Sequence, residues 1–245
     1  EITTRLVGSE MCIRDRYIMK ICIIGAGSTY TPELIEGIIN KRDSLPVSEI
    51  SFMDIDERKL NIVGSLCQRM IVAAGLNCKT ELVLNDYEHA LKGADFVLAQ
   101  IRVGKLPARV KDEKIPLKYD LIGQETCGIG GMFKGLRTIP VMIQIVKMME
   151  MYCPNAWLIN FSNPSGMIAE ALLNYTNVKM MGLCNVPINT IDGIKKSMNL
   201  PNAEVEYMGL NHFAYITKIE QDGKDYLEDA LACLLYTSDA ADEAR

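Results

Sequence analysis

Histidine is nearly missing: among 245 residues only His89 and His212 occur. A closed site built from several imidazoles is therefore hard to assemble. The eight cysteines are scattered and form no CxxC pair. That excludes a short-spaced disulfide framework and predicts reduced thiols in a cytoplasmic protein. Positive charge is not in excess. A net charge of −5 gives no basic face, so no nucleic-acid partner is expected. No uncharged apolar run approaches the roughly 20 residues a spanning helix needs, so no membrane partner is expected either. Internal repeats and low-complexity linkers are also missing. What remains is a chain 49% apolar, long enough for one large core or two modest ones in a globular α/β protein.

The two ends lack strand or helix periodicity. Residues 1–18 and 232–245 resemble translated adapter sequence, and Met19 follows the first stretch as a natural start. Both are set aside as a non-native-looking leader and tail, which predicts that the chain stops inside its second domain.

Between those ends the apolar pattern changes period repeatedly. Residues 19–24 are continuously apolar apart from Lys20, as in a strand buried on both faces. Thr31-Pro32-Glu33 then opens a helix with proline in its first turn. Further strands are predicted at 50–53, 80–84, 95–101, 156–161 and 178–183. Helices are predicted at 57–74, 87–92 and 137–151, from the SNPSG turn at 162–166 to residue 175, and at 187–198. This alternation predicts a Rossmann-type, doubly wound parallel sheet like that of lactate and malate dehydrogenases. Residues 104–135, broken by Pro107 and Pro116, read as a long irregular functional segment. Residues 204–208 and 213–219 alternate polar and apolar, as antiparallel strands do. The expected organisation is an NAD-binding domain over 19–183, then the start of an α+β catalytic, metal-binding domain over 184–231.

Gly25-Ala26-Gly27-Ser28-Thr29 joins the first strand to the first helix. Gly25 suits the tight turn, Gly27 admits a pyrophosphate, and Ser28 and Thr29 lead into a helix N-terminus with unpaired N–H groups. The usual third glycine is replaced by Tyr30. Asp54 closes the second strand, where an acid accepts bonds from ribose hydroxyls and repels a 2′-phosphate, so NAD is expected over NADP. Asp56 is the lesser candidate. A plain glycine turn beside an unrelated surface acid is the alternative.

Cys184 falls at a strand's C-terminal end, where open α/β sheets bind ligands. Taken singly, it reads as a packing thiol and His212 as a strand-edge histidine. Taken together, they are two soft protein ligands with open positions, the pattern of a catalytic metal rather than a structural one.

Several motifs in order carry a resemblance: GAGST at 25–29, DID at 54–56, the segment 101–128 ending in GQETCG, SNPSG at 162–166, CNVP at 184–187 and GLNHF at 209–213. Over about residues 19–230 the chain resembles glycoside hydrolase family 4, the NAD- and divalent-metal-dependent glycosidases. Asn185 after the cysteine is most similar to the 6-phospho-β-glucosidase branch. The resemblance implies Mn²⁺ or another divalent metal on Cys184 and His212, and sugar-phosphate contacts from Arg109 and Asn163, with Asn185 also facing substrate. It implies that Glu125 raises the basicity of a catalytic tyrosine lying beyond about residue 230. The implied chemistry is hydrolysis of 6-phospho-β-glucosides by hydride removal at C3 to NAD, C2 deprotonation, metal stabilisation of the enediolate, elimination and water addition, an exception to two-carboxylate glycosidases. The implied partners are a phosphorylated disaccharide or aryl glucoside and further copies of the full-length protein, a homo-oligomer. This 245-residue chain is expected to lack the base and be inactive. From the residues alone, Arg109 reads equally as part of a charged loop, Asn163 as a turn residue and Glu125 as a cap. Two alternatives stay open: an NAD-dependent 2-hydroxy-acid dehydrogenase using Arg102 and Arg109 on a carboxylate, and a non-catalytic NAD-binding chain.

Overall fold

A computed structural model describes residues 19–234; the expected leader and most of the expected tail lie outside them. Strand β1 (Met19–Ile24) leads into helix α1 (Thr31–Asn40) and strand β2 (Val47–Asp54). Helix α2 runs as Glu57–Lys59, a π-helical turn Leu60–Gly64, and Ser65–Ala73. Next come β3 (Lys79–Leu84), α3 (Tyr87–Leu91) and β4 (Phe96–Ala99). Helix α4 (Lys105–Leu117), helix α5 (Gly128–Tyr152), β5 (Trp157–Asn160), α6 (Ser165–Tyr175) and β6 (Lys179–Gly182) follow. The described chain ends in α7 (Val186–Ser197), β7 (Glu204–Leu210), β8 (Phe213–Gln221), β9 (Lys224–Asp225) and α8 (Leu227–Leu234).

Strands β1–β6 form one parallel sheet in the order β3-β2-β1-β4-β5-β6. That is the doubly wound order, with its switch point between β1 and β4. Its two faces sort by parity. Ile21 and Ile23 of β1, with Phe96 and Leu98 of β4, pack into a cluster containing Ile35, Ile38, Leu60, Cys67 and Ile71 of α1 and α2. Cys22 and Ile24, with Val97 and Ala99, pack on the other face against Met142, Ile145, Val146 and Met149 of α5 and Ile168 and Leu172 of α6. A strand covered on both faces can be apolar at every position, which is why β1 shows no alternation. Burial pushes the Cys67 thiol up to about 11, so near neutrality it is a packing group.

By its contacts the chain divides into two compact units. The first takes residues up to Val103 with 137–162 and 167–182 and carries the parallel sheet. The second takes 104–136, 163–166 and 183 onward. This grouping interleaves along the chain, where the sequence pattern predicts one boundary after residue 183. In the second unit β7, β8 and β9 pair antiparallel. One side packs Ile219 on Ile194, Leu200, Ala203 and Ala230, from α7, its exit and α8.

The segment 104–135 departs from its expectation of irregularity. Residues 105–117 are the helix α4, with Pro107 in the first turn, where no N–H is needed, and Pro116 near its end. Pro116 cannot bond the carbonyl of Asp112. A Cβ on Gly130 would stand 3.1 Å from the Asp112 carbonyl and collide with the Gln124 carbonyl. Only glycine fits at the head of α5.

Candidate functional site

In the first unit the turn after β1 is tied down by backbone and side chain alike. Gly25 and Ala26 N–H both donate to the Met53 carbonyl (2.9 and 3.0 Å). Gly25 has φ +86°, and a Cβ there would meet the Gln100 carbonyl at 2.6 Å. A Cβ on Gly27 would meet Lys59 Cβ at 2.6 Å and Asp54 Oδ2 at 2.9 Å. Asp54 is the organiser: its Oδ2 accepts from Gly27 N–H (2.7 Å) and its Oδ1 from Asp56 N–H (2.9 Å). Each oxygen keeps a second lone pair for an external hydroxyl. Asp56 instead caps α2 by accepting from Lys59 N–H at 3.2 Å. Ser28 Oγ accepts from Tyr30 N–H at 3.3 Å, and Thr29 follows it in the turn. Helix α1 has no side-chain cap; its Thr31 N–H donates back to the Ser28 carbonyl at 3.1 Å, and the positive end of its dipole faces the turn. Close backbone approach, a helix start without a side-chain cap and an acid with spare acceptor capacity together fit a dinucleotide.

Two polar groups that the sequence reading passed over complete this edge. Gln100 Nε2 donates to Thr31 Oγ1 (2.6 Å), locking the start of α1 to the end of β4. Asn160 is fully buried; its Nδ2 donates to the Ser162 carbonyl and its Oδ1 accepts from Ser162 N–H, both at 3.0 Å. A polar residue closing a buried apolar strand was the available signal.

In the second unit, Cys184 Sγ and His212 Nε2 lie 3.5 Å apart. With metal–sulfur and metal–nitrogen bonds of about 2.3 and 2.0 Å, two ligands on one tetrahedral ion stand roughly 3.5 Å apart. The spacing and the soft donor set both fit a divalent transition metal. Among the described residues no three His, Cys, Asp or Glu side chains form such a group, so any ion held by this pair keeps positions for other oxygens. Asn211 and His212 are the two residues between paired Leu210 and Phe213, and His212 has φ +61°. That left-handed conformation costs a non-glycine residue about 1 kcal/mol. His212→Gly should therefore leave the urea midpoint unchanged or raise it by the equivalent of about 1 kcal/mol, while abolishing metal binding in a Mn²⁺ titration. A fall in the midpoint would show that the hairpin does not carry this strain. Cys127 lies near the same turn, its Sγ 4.0 Å from the Asn211 carbonyl.

A charged cluster occupies the same unit. Glu125 bridges Lys134 Nζ through Oε1 and Arg109 Nη1 through Oε2. Arg109 Nε also donates to Glu113 Oε1 at 2.5 Å, one turn along α4. Arg109 and Glu125, expected from sequence as separate site residues, are thus joined. Lys134 was missed because no acid stands one turn away in α5. Asn163 is half-buried between β5 and α6, and Asn185 is exposed at the start of α7, making no cap bond.

The family model described as "Family 4 glycosyl hydrolase" matches residues 20–200. The chain is 48% identical over 219 residues to the 6-phospho-beta-glucosidase of Escherichia coli (strain K12), which covers 87% of this chain and 48% of the relative. The solved structure of the 6-phospho-beta glucosidase from Thermotoga maritima, with manganese, NAD+ and glucose-6-phosphate, is similar at TM-score 0.80. Its identity is 40%, over 89% of this chain and 54% of that one. The chain spans about half the length of the relatives it matches. Lactate dehydrogenase from Eimeria maxima shares the fold (TM-score 0.61) at 16% identity, which supports a common architecture and not the dehydrogenase alternative. The chain belongs to glycosyl hydrolase family 4.

Proposed function

We propose that this sequence supplies the NAD- and metal-binding part of a 6-phospho-β-glucosidase. The observation that carries the reading is the Cys184–His212 pair at 3.5 Å, in a chain of a family whose Thermotoga maritima member is solved with manganese, NAD+ and glucose-6-phosphate. The β preference rests on the Escherichia coli and Thermotoga maritima relatives and on Asn185 beside Cys184.

Bound NAD+ would take a hydride from the sugar and return it, and Mn²⁺ or a similar cation would hold two neighbouring hydroxyls. The protein's own groups do the positioning. Gly25, Gly27, Ser28 and Thr29 shape the pyrophosphate cradle, and Asp54 accepts from the ribose and disfavours a 2′-phosphate. Cys184 and His212 hold the cation. Arg109 offers a forked donor to the phosphate, with Asn163 and Asn185 donating amide bonds to substrate oxygens. Glu125 contributes the negative charge for a tyrosine base. The resemblance also supports a cytoplasmic, homo-oligomeric complete protein acting on phosphorylated disaccharides or aryl glucosides.

The test is a chain of the relatives' length carrying this sequence, assayed on p-nitrophenyl 6-phospho-β-glucoside. Release of p-nitrophenol should need both NAD and a divalent cation, and should vanish with chelator or with the unphosphorylated glucoside. Chelator-resistant turnover, or a preference for the α-linked substrate, overturns the reading.

A further inference from the structure

Lys134 is 2% exposed, on a helix whose neighbouring buried positions are apolar or small. A charged lysine persists in such a place only when it is paired. Its partner is Glu125, whose other oxygen holds Arg109. We propose that Lys134 is a positioning residue: it fixes the Glu125 carboxylate that in turn aims the Arg109 guanidinium at the substrate's phosphate. The proposal rests on the reading of Arg109 as a phosphate ligand.

Two features carry it. The first is geometric. Arg109 is gripped at Nε by Glu113 and at Nη1 by Glu125, so its planar fork is held in one orientation while about a third of the side chain stays exposed. Its remaining N–H donors are free to be presented as a rigid set. Glu125 provides that grip through a carboxylate that Lys134 holds from the buried side. The second is electrostatic. In the bridges among these four groups, Arg109 and Lys134 offset Glu113 and Glu125. Removing Lys134 takes a positive charge from beside the Glu125 carboxylate and so weakens the local attraction for a phosphate dianion. Lys134 thus acts on a ligand from which burial separates it.

The experiment uses the 245-residue chain with NAD+ and Mn²⁺ present, comparing wild type, Lys134→Met and Lys134→Met/Glu125→Gln. Glucose 6-phosphate affinity is read by calorimetry, Arg109 order by the ¹⁵N resonance of its Nε–H, and folding by thermal midpoint. Lys134→Met should weaken glucose 6-phosphate at least tenfold and broaden or lose the Arg109 resonance. The double variant also removes the carboxylate that has lost its buried partner, so its midpoint should return towards wild type while affinity and resonance do not. Recovery of all three in the double variant, or a folded Lys134→Met with both readouts unchanged, overturns the proposal. If wild type itself fails to bind glucose 6-phosphate, the substrate reading falls, and the Arg109 resonance alone still decides whether Lys134 orders the guanidinium.

Discussion

Cys184→Ser should lower Mn²⁺ affinity by on the order of 100-fold or more, measured by the free-ion electron paramagnetic resonance signal as metal is titrated into the chain. Among the described residues no third His, Cys, Asp or Glu side chain joins the Cys184–His212 pair, so no ligand of that kind compensates. A serine hydroxyl is a poor, protonated donor where a thiolate binds strongly, and altering groups even one shell further out costs about 10–100-fold. His212→Ala should cost as much, and the double variant little more than either, because one ligand alone does not hold the ion. Cys127→Ser, whose sulfur lies by the Asn211 carbonyl, should change affinity only slightly. Retained Mn²⁺ binding in Cys184→Ser, or a larger loss in Cys127→Ser, would place the metal elsewhere.

The parts of this molecule that could be read from the sequence share a physical cause. Strand β1 is apolar throughout because both its faces are covered, and the Gly25–Thr29 turn needs glycine where backbone comes within 2.6 Å of a would-be Cβ. Such constraints act locally, so they leave local traces. Helix α4 left a misleading one. Pro107 and Pro116 look like breaks, yet the first sits in the first turn, where no N–H is needed, and the second near the helix's end. The Lys134–Glu125–Arg109 bridge left none at all. Its members come from α4, the connection after it, and α5, and nothing in residues 123–131 states which cation the carboxylate will meet. Cys184 and His212 lie between these cases. Each is bland alone, and only the fold, closing α7's entry against the β7–β8 hairpin tip, makes them neighbours.

Asp54→Asn should cost about 10- to 100-fold in NAD affinity, followed by quenching of the intrinsic fluorescence or by calorimetry. The change looks conservative, and the loss follows from hydrogen-bond polarity. Both carboxylate oxygens already accept backbone N–H groups, from Gly27 at 2.7 Å and Asp56 at 2.9 Å. An amide has one acceptor oxygen, so its NH₂ must face one of those N–H donors. Turning it towards Gly27 loosens the turn that meets the pyrophosphate; turning it towards Asp56 frees the start of α2. In either case one hydrogen bond to a charged acceptor is lost, a change of about 1.5–3 kcal/mol, and the ribose meets one fewer acceptor. Removing the negative charge also removes the repulsion of a 2′-phosphate, so the NAD:NADP affinity ratio should fall further than NAD affinity alone explains. Asp54→Ala should cost more than Asp54→Asn, because alanine loses both acceptors where the amide keeps one. If Asp54→Asn binds NAD as wild type does, the carboxylate serves only to close the turn between β1 and α2, and the ribose must be held by another group.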